Sequence, residues 1–369
     1  MIKSLFIDRK MLKHLDFGII ITVILIVLFG SYNIYTCSNK APQQIRWLIL
    51  SLVISYVVLL IDYVNIKMYV KIFYWLCMMV LLYTLFFGKT INGATGWIYV
   101  GFYIQPAEMA KIALIMMLGV KIEEMEFKVN NIKNLIILGI YCAIPMGLII
   151  KQPDMGMTMV LFFIVVGVAF SAKLNLKVLA AGILAVIIAV VGVWNSGHFI
   201  KPYQKGRIIA FLDPESYALG DGYQLLQSMT GVGSGGFFGK ILTGEKRDNG
   251  GYVASNVPEP QTDFIFAVTT ENFGTFGAII LLSLYGFLIY RMIAIAKIAK
   301  DGFGMIVASG LATYFTFAIL QNGGMAIGIM PITGITFPLL SYGGSSLLTT
   351  VVAIALVLNI GMRRKKIVF

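Results

Sequence analysis

Charged residues are scarce in this chain. They make up only 12% of its 369 residues, whereas soluble domains carry about 25%. Hydrophobic residues reach 59%, and the mean hydropathy is +0.87. So little charge excludes a soluble globular domain, and the many windows of about 20 apolar residues predict membrane-spanning helices. The apolar runs do not alternate with polar residues, which excludes a transmembrane β-barrel.

Cysteine and histidine are also rare, with three and two residues. Cys77 and Cys142 lie inside apolar runs, so the sequence predicts neither a disulfide framework nor a Cys/His metal site. The same scarcity leaves nucleophilic hydrolase chemistry without support. A phosphate-cradling P-loop is missing too, in keeping with a reaction that needs no soluble energy cofactor. Only a divalent cation stays open as a cofactor.

Basic residues are plentiful by comparison, and the net charge of +12 would suit a protein that binds nucleic acid. They cluster at the ends of the apolar runs rather than in one patch, which excludes nucleic acid as the partner and is typical of membrane topology. We predict ten spans, at about 16–34, 44–62, 67–88, 105–122, 133–151, 154–171, 176–194, 263–290, 303–324 and 338–361.

The distribution of Lys and Arg orients these spans. With the N-terminus in the cytoplasm, the inner segments hold 18 basic residues and the short outer segments hold four. Because the inner loops of membrane proteins are enriched in Lys and Arg, we predict a multi-pass membrane protein with both termini in the cytoplasm. One missed helix would invert every later loop and remove this asymmetry.

The chain is predicted to be a single all-α integral membrane domain over residues 1–369. One large outer loop, at about 195–262, separates the seventh and eighth helices. Within it, residues 211–236 include amphipathic material that fits the membrane surface. No internal repeat is visible, which weakens a transporter built from inverted halves.

Two carboxylates mark the border between this loop and the eighth helix. Asp263 falls in the first helical turn, where Thr262 can cap the helix, and Glu271 lies two turns farther on. An acid inside hydrocarbon costs about 2.5–3.5 kcal/mol, so we interpret this border as a place of chemistry or transport. Asp263 is the candidate general base, with a helix-capping acid as the alternative. Glu271 is expected to line the site or to bond a neighbouring helix.

Three other charges lie at or within the membrane. Glu108 and Lys111 are three residues apart on one helical face, where they can form an ion pair. That pair is either a strut that orients the fourth helix or a substrate contact. Asp154 follows Gln152 and Pro153 at the start of the sixth span, where we interpret it mainly as an acid that complements the helix dipole.

Prolines and small residues mark the segment from Met330 to Leu347. Two prolines and Gly334 prevent its first half from continuing as a helix. The small residues after it either allow close helix packing or form an irregular backbone that lines a polar cavity. In the second case Ser341 and Ser345 are supporting residues of the site.

A basic cluster in the outer loop is the last candidate. Arg207 lies near Lys201 and Lys205, and a pyrophosphate on a lipid would be a natural ligand for such a cluster. A solvated charged face is the alternative interpretation.

Six stretches together resemble the SEDS family of bacterial cell-wall proteins (shape, elongation, division and sporulation), whose members include RodA, FtsW and SpoVE. They are GWIYVGFYIQPAEMAKI (96–112), KQPDMGMT (151–158), PYQKGRIIAFLDPE (202–215), GYQLLQSMTGVGSGGFFGK (222–240), PEPQTDFIFAV (258–268) and PITGITFPLLSYGGSS (331–346). Their order and spacing cover nearly the whole chain. The GYQLLQS and GSGG stretches look more like RodA than FtsW.

The resemblance implies a peptidoglycan glycosyltransferase of the bacterial cytoplasmic membrane. It would polymerise lipid II at the outer face of that membrane, in cell-wall synthesis for cell shape and division. It also implies a class B penicillin-binding protein, a transpeptidase, as partner. The essential aspartate of the family falls on Asp263, and its Glu and Lys fall on Glu108 and Lys111. Asp263 would take the proton of the 4-hydroxyl of the acceptor, and Arg207 is the candidate to stabilise the anionic leaving group.

Two positions depart from the family pattern. Gln261 stands where the family usually has His, and it can donate a hydrogen bond but cannot carry charge. Gly96 stands where a basic residue usually precedes the tryptophan of the first outer loop. If that charge binds substrate in relatives, another residue such as Lys89 has to replace it here.

Two other functions stay open from the residues alone. A flippase or transporter of a lipid-linked precursor would share the ten spans and the buried acids, but an alternating-access carrier favours a site at the membrane midplane. Asp263, at the mouth of a large outer loop, favours the enzyme. A non-catalytic scaffold would leave the charged mouth unexplained.

Overall fold

The computed structural model of the chain describes residues 9–91, 93–196, 202–220, 222–245 and 250–364. Its elements in chain order are α1 (Arg9–Leu12), α2 (Phe17–Cys37), α3 (Ala41–Leu60), α4 (Tyr63–Phe87), β1 (Lys89–Ile91), β2 (Ala94–Tyr99), β3 (Tyr103–Ile104), α5 (Pro106–Glu124), α6 (Ile132–Lys151), α7 (Met155–Ser171), α8 (Leu176–Ser196), α9 (Pro202–Leu212), α10 (Tyr223–Ser234), α11 (Gly239–Leu242), α12 (Tyr252–Asn256), α13 (Ile265–Ile298), α14 (Gly302–Ala326) and α15 (Gly344–Met362).

Each of the ten predicted spans corresponds to a helix. In the described part of the chain, eight helices are long and apolar enough to cross a membrane. The other two spans are α5, which includes five charged residues, and α7, which has only 17 residues. The prediction of an α-helical multi-pass membrane protein is confirmed.

Short polar side chains begin several of these helices. Asp16, Asp62, Asn131, Asp154 and Asp301 each accept a hydrogen bond from a backbone N–H in the first turn of the helix that follows. Such caps satisfy donors that would otherwise lack a partner at a helix start. The polar residues between the apolar runs therefore define where the helices begin.

The centre of the bundle is formed by α5, α14 and α15. In the most apolar 18-residue windows of α14 and α15, 72% and 83% of the residues are buried inside the protein, against 0% in α8. Helix α14 packs on α5, α7 and α13, and α15 packs most closely on α3. A polar residue on α14 or α15 therefore faces protein, whereas α8 presents its apolar side chains to the surroundings.

A small antiparallel sheet, which the sequence did not predict, forms in the first outer loop. Its three short strands lie in the order β1-β2-β3, and β2 packs on α4 and α5. The backbone N–H of Thr95 donates to the carbonyl oxygen of Gln152 at 3.1 Å. The sheet is thereby joined to the loop between α6 and α7.

The Gly-rich part of the large outer loop packs into the helical bundle. Helices α10 and α11 contact α13, and α10 also contacts α14. The Ser228 hydroxyl is buried and donates to the carbonyl oxygen of Ala326 at 2.9 Å. Residues 223–236 therefore pack on helices of the protein, which the sequence did not predict; their placement at the membrane surface stays a prediction. The packing involves close backbone contact, since a Cβ at Gly235 would lie 2.1 Å from the Thr270 carbonyl oxygen.

The Gly-rich segment packs against a kink in α13. Gly274 has φ 66° and ψ −167° inside the helix, a conformation available essentially to glycine alone. The N–H groups of Thr275 and Phe276 instead donate to the carbonyl oxygens of Gly236 and Phe237, both at 3.0 Å. The inserted loop thus supplies the acceptors that the broken helix no longer offers.

The tenth span is shorter than predicted. Its helix, α15, begins at Gly344 rather than at 338, because the residues before it form an irregular segment. Pro331 and Pro338 flank Gly334, which has φ 71°. The prediction that these residues interrupt the helix is confirmed, and the interruption extends farther than expected.

Candidate functional site

Two irregular segments meet at the start of α13: the turn 258–264 and the segment 331–343. The Ser341 hydroxyl donates to the carbonyl oxygen of Thr262 at 2.5 Å and accepts from the N–H of Phe337 at 2.8 Å. The N–H of Tyr342 donates to the carbonyl oxygen of Gln261 at 2.8 Å. Ser341, a predicted supporting residue, therefore joins the two segments by its hydroxyl rather than presenting it to a ligand.

Asn322 of α14 also joins these two segments. Its fully buried side-chain amide donates to the carbonyl oxygen of Asp263 at 2.8 Å and to that of Ile335 at 2.7 Å. One side chain therefore holds both segments at once. Sequence reasoning missed Asn322; the available signal was an amide side chain near the end of a strongly apolar span, where a buried polar group needs a partner.

The carboxyl group of Asp263 lies between these segments. The expectation that Thr262 caps the helix and Asp263 lies in its first turn was wrong, because α13 begins at Ile265 and no side chain caps it. A Cβ built at Gly334 would be 3.6 Å from its Oδ2 atom, and the side chain is partly exposed although protein surrounds it. Burial raises the pKa of Asp263 to about 6. The Arg207 guanidinium and the Thr262 side chain lower this pKa, whereas the charges of Glu259 and Asp154 raise it further. The group is poised near neutrality, unlike an ordinary surface aspartate.

Asp154 belongs to the same electrostatic site. Its carboxylate caps α7 by accepting from the N–H of Met157 at 2.8 Å, and it accepts from Nε2 of Gln105 at 3.0 Å. Burial raises the pKa of Asp154, and the charge of Arg207 lowers it. The sequence interpretation of Asp154 as a capping acid agrees with this geometry but omitted its proximity to Asp263.

Arg207 is the cation that these two acids share. It lies on α9, and its charge acts on both Asp154 and Asp263. Of the basic cluster predicted around it, Lys205 has its Nζ atom over the ring of Trp194, 5.4 Å from the ring centroid. Lys201 lies outside the described residues.

The Glu108–Lys111 contact predicted from the sequence is present in the interior of the protein. The ammonium group of Lys111 donates to the carboxylate of Glu108, and both side chains are buried. The Thr349 hydroxyl donates to the same carboxylate at 3.2 Å, and the Lys111 Nζ atom lies 3.9 Å from the ring centroid of Tyr314. The pair therefore links α5 to both central helices, α14 and α15.

Ser345 connects this pair to the site. Its hydroxyl accepts from the N–H of Gln105 at 3.3 Å, one residue before α5 begins. The starts of α5, α7 and α15 thus converge through Gln105, which also holds Asp154. Ser345, like Ser341, makes its contacts within the protein.

Glu271 is engaged entirely by the outer loop. Its carboxylate accepts from Nζ of Lys240 at 2.7 Å, from the N–H of Tyr252 at 2.6 Å and from the N–H of Val253 at 2.9 Å. It therefore stabilises the start of α12 and bridges α11, α12 and α13. Of the two expected roles, lining the site or bonding a neighbouring helix, the geometry matches the second.

The two departures from the family pattern lie near the site. Gln261 donates from Nε2 to the carboxylate of Glu259 at 2.6 Å, and Glu259 lies 3.9 Å from the ammonium group of Lys40. A Cβ at Gly96 would lie 3.8 Å from Gln105 Nε2, the atom that bonds Asp154. Lys89, the candidate replacement, donates to the hydroxyl of Tyr103 at 2.6 Å in an exposed position.

The described residues contain no group of three or more His, Cys, Asp and Glu side chains that would form a metal site. Mg²⁺ is usually held by only one or two carboxylates together with substrate phosphates. Asp154, whose charge acts on Asp263, fits that smaller donor set. A divalent cation therefore stays a prediction at this site.

Comparison with known proteins places this geometry in a wider group. The family model for cell cycle proteins that covers FtsW, RodA and SpoVE matches residues 7–366. A probable peptidoglycan glycosyltransferase FtsW of Trichlorobacter lovleyi is 32% identical, covering 95% of this chain and 93% of its own. The peptidoglycan glycosyltransferase RodA of Treponema pallidum is 29% identical, with 95% and 98% covered.

A solved structure extends the similarity to three dimensions. It concerns the structural coordination of polymerization and crosslinking by a peptidoglycan synthase complex, and one of its chains matches with a TM-score of 0.82 at 29% identity, covering 95% of this chain and 98% of that one. Because relatives of both the FtsW and the RodA name match, the more RodA-like appearance of two motifs stays a prediction.

Proposed function

Because the chain belongs to the FtsW/RodA/SpoVE family of cell cycle proteins, and is a peptidoglycan glycosyltransferase like the relatives it matches, we propose that its Asp263 site polymerises lipid II. The donor is a growing glycan on a lipid pyrophosphate, and the acceptor is a lipid-linked disaccharide. One observation supports the site above all others: Asp263 presents a partly exposed carboxyl group, with a pKa of about 6, beside the large outer loop.

Asp263 is suited to act as the general base. A base works best when its pKa lies near the working pH, and a pKa of about 6 leaves the carboxylate ionised at neutrality but more basic than usual. The 4-hydroxyl oxygen of the acceptor attacks the anomeric carbon of the donor, whose bond to the lipid pyrophosphate breaks. Asp263 takes the hydroxyl proton, so one glycosidic bond forms for each pyrophosphate released.

Arg207 is suited to the leaving group. Its charge reaches both acids of the site, and guanidinium groups bind phosphate oxygens through paired hydrogen bonds. When the pyrophosphate departs, its negative charge increases, and a cation already in position stabilises that change. The prenyl tails are expected in apolar grooves between the helices.

The remaining predicted site residues act as support. The buried pair Glu108–Lys111 holds α5 against α14 and α15, and Ser341 and Ser345 hold the starts of α13 and α5. A site built on such fixed elements keeps its reacting groups in place, and small misplacements of these groups reduce rates strongly. A divalent cation would be held by Asp154 together with the substrate pyrophosphate, and would supply positive charge to the phosphate oxygens.

The partner and the orientation complete the proposal. A class B penicillin-binding protein would crosslink the product, in keeping with the synthase complex that the chain resembles. Both termini lie in the cytoplasm and the Asp263 site faces outside, as the distribution of Lys and Arg favours. A cysteine replacing the exposed Glu245 should react with an impermeant label in intact cells; labelling only after lysis would invert the orientation.

Polymer formation by the purified chain tests the function directly. The chain in detergent is incubated with lipid II, and the products are separated by length on a gel. The parent should give glycan strands, whereas Asp263→Asn, which keeps the size of the side chain but accepts no proton, should give none.

The transporter alternative predicts the opposite pattern. Movement of labelled lipid II across vesicles without any polymer, or near-normal polymer from a folded Asp263→Asn protein, would remove Asp263 from the reaction. The position of Asp263 before the first turn of α13, rather than in the middle of a span, supports the enzyme.

A further inference from the structure

A second polar cavity lies near the C-terminal end of α13, far along that helix from Asp263. Its volume is about 330 Å³, and its rim includes Lys13, His14, Arg291 and Arg364. The cavity forms where the start of α2, the last turns of α13 and the end of α15 come together. None of these residues takes part in the site around Asp263.

The cavity has more positive than negative charge. Its one acid, Asp16, is already engaged: it lies 2.6 Å from Nη2 of Arg291 and caps α2 through the N–H of Ile19. Nη2 of Arg364 lies 3.3 Å from Nδ1 of His14, and among the described residues neither Lys13 nor Arg364 forms a salt bridge. Two cationic side chains therefore exceed what Asp16 neutralises.

The other walls of the cavity are apolar. Ala294, Ile295 and Ile298 of α13 and Gly361 of α15 line it. Beside it, on the outer faces of α2 and α13, large hydrophobic side chains are exposed to the surroundings, among them Phe17, Ile21 and Tyr290. A Cβ at Gly18 would lie 3.3 Å from the ring of Phe287, so these two apolar faces adjoin each other. The cationic rim thus passes directly into a lipid-facing surface.

We propose that this cavity binds the phosphate headgroup of an anionic phospholipid, with the acyl chains along the exposed faces of α2 and α13. Phosphate is the shared chemistry of a lipid headgroup and of a soluble anion. The lipid is the better match, because basic pockets between membrane helices bind acidic headgroups and the apolar walls here favour a ligand that is partly hydrocarbon. The proposal does not depend on the glycosyltransferase activity.

Binding of a fluorescent phosphatidylglycerol to the full chain in neutral detergent tests this site. Lys13 and Arg364 are both exposed, so the double variant Lys13→Gln/Arg364→Gln should fold normally. It should bind the lipid about 30-fold more weakly, since two cationic contacts to an anionic headgroup are lost. The matched control is Lys133→Gln/Lys177→Gln, which removes two exposed lysines elsewhere and should leave the affinity unchanged.

Two further arms separate specific lipid binding from simpler explanations. Ala294→Phe, which fills the cavity without changing its charge, should also weaken binding, and phosphatidylcholine with the same acyl chains should bind poorly. Equal losses in both double variants would mean diffuse surface attraction and would overturn the proposal. Displacement of the lipid by inorganic phosphate at similar concentration, or equal binding of both lipids, would overturn it too.

Discussion

Asp263 and Glu271 lie eight residues apart in one segment, yet their surroundings differ completely. Glu271 is buried and has a lysine and two backbone N–H groups as partners, all from the outer loop. Asp263 is partly exposed, and burial raises its pKa to about 6 although Arg207 opposes the shift. The carboxylate of Glu271 is fully engaged by the protein, whereas that of Asp263 keeps capacity for a ligand.

This difference indicates how to assign roles to acids in a membrane protein. An intramembrane or membrane-edge carboxylate is costly wherever it occurs, so its presence alone does not distinguish chemistry from architecture. What distinguishes them is whether the protein itself supplies the hydrogen-bond donors. By that criterion the partners of Glu271 and Glu108 favour a structural role, and the geometry of Asp263 favours its proposed contact with the substrate.

The largest expected effect comes from removing charge at each acid in turn. Asp263→Asn should lower the polymerisation rate about 100- to 10,000-fold, the usual loss when a general base is removed, without lowering the temperature of unfolding. Glu271→Gln should reduce activity less but destabilise the protein by about 1–3 kcal/mol, because its amide group faces backbone donors. Gel analysis of polymer and thermal unfolding in detergent measure the two quantities.

The contrast between the two acids fails if each variant shows the loss of activity or stability that is expected of the other. A Glu271→Gln protein that unfolds like the parent but makes no polymer would place that residue in the reaction. An Asp263→Asn protein that is inactive because it is unfolded would assign Asp263 a structural role rather than a chemical one.

The second prediction concerns Glu108, a buried acid that loses its ion-pair partner when Lys111 is replaced. Lys111→Ala leaves the buried carboxylate of Glu108 without its cation, which costs about 3–5 kcal/mol for a buried pair. The folded yield or the activity should therefore fall more in Lys111→Ala than in the double variant with Glu108→Ala. If the double variant is no better than the worse single variant, the pair is not a strut.

Much of the architecture was predictable from the sequence, because hydropathy and the placement of Lys and Arg depend on local composition. The ten spans, the Glu108–Lys111 contact and the interruption around Gly334 follow from residues close together in the chain. The contacts that join segments distant in the chain could not be predicted in this way. Asn322 bonds the carbonyl oxygens of Asp263 and Ile335, and Glu271 bonds backbone groups about 19 residues before it. Such pairings depend on the tertiary arrangement.

For the candidate site, too, the sequence indicated residues but not their contacts. The resemblance pointed to Asp263, and the structure adds that Asp154 and Arg207 act on it electrostatically. Ser341 and Ser345 were predicted from their position in a small-residue segment, but only the structure shows that their hydroxyls contact backbone groups. Their role as supporting residues stays a prediction.

The third prediction concerns the kink in α13, against which the loop that bonds Glu271 packs. Gly274→Ala forces a Cβ to within 2.3 Å of the Phe237 carbonyl oxygen, in a backbone conformation that is essentially restricted to glycine. It should destabilise the protein by about 1–3 kcal/mol. Gly286→Ala is the matched control in the same helix, where a Cβ meets nothing within 4 Å. Equal unfolding temperatures for both variants would show that the kink does not seat the loop.

The smallest expected effect is a dependence of stability on pH at Asp263. Its pKa in the folded protein, about 6, lies above the ordinary value of 3.8, so the folded state holds the proton more tightly than the unfolded state. Protonated Asp263 therefore favours folding at low pH, and this contribution is lost as the pH rises through about 6. Asp263→Asn, which stays neutral, should unfold about 1–3 °C above the parent at pH 8, and the difference should vanish near pH 4. Glu215→Gln, at an exposed acid of the outer loop, should show no such difference between the two pH values. A difference for Asp263→Asn that persists at pH 4 would mean that the asparagine changes packing rather than charge, and the contrast between an available acid and an engaged one would lose its electrostatic basis.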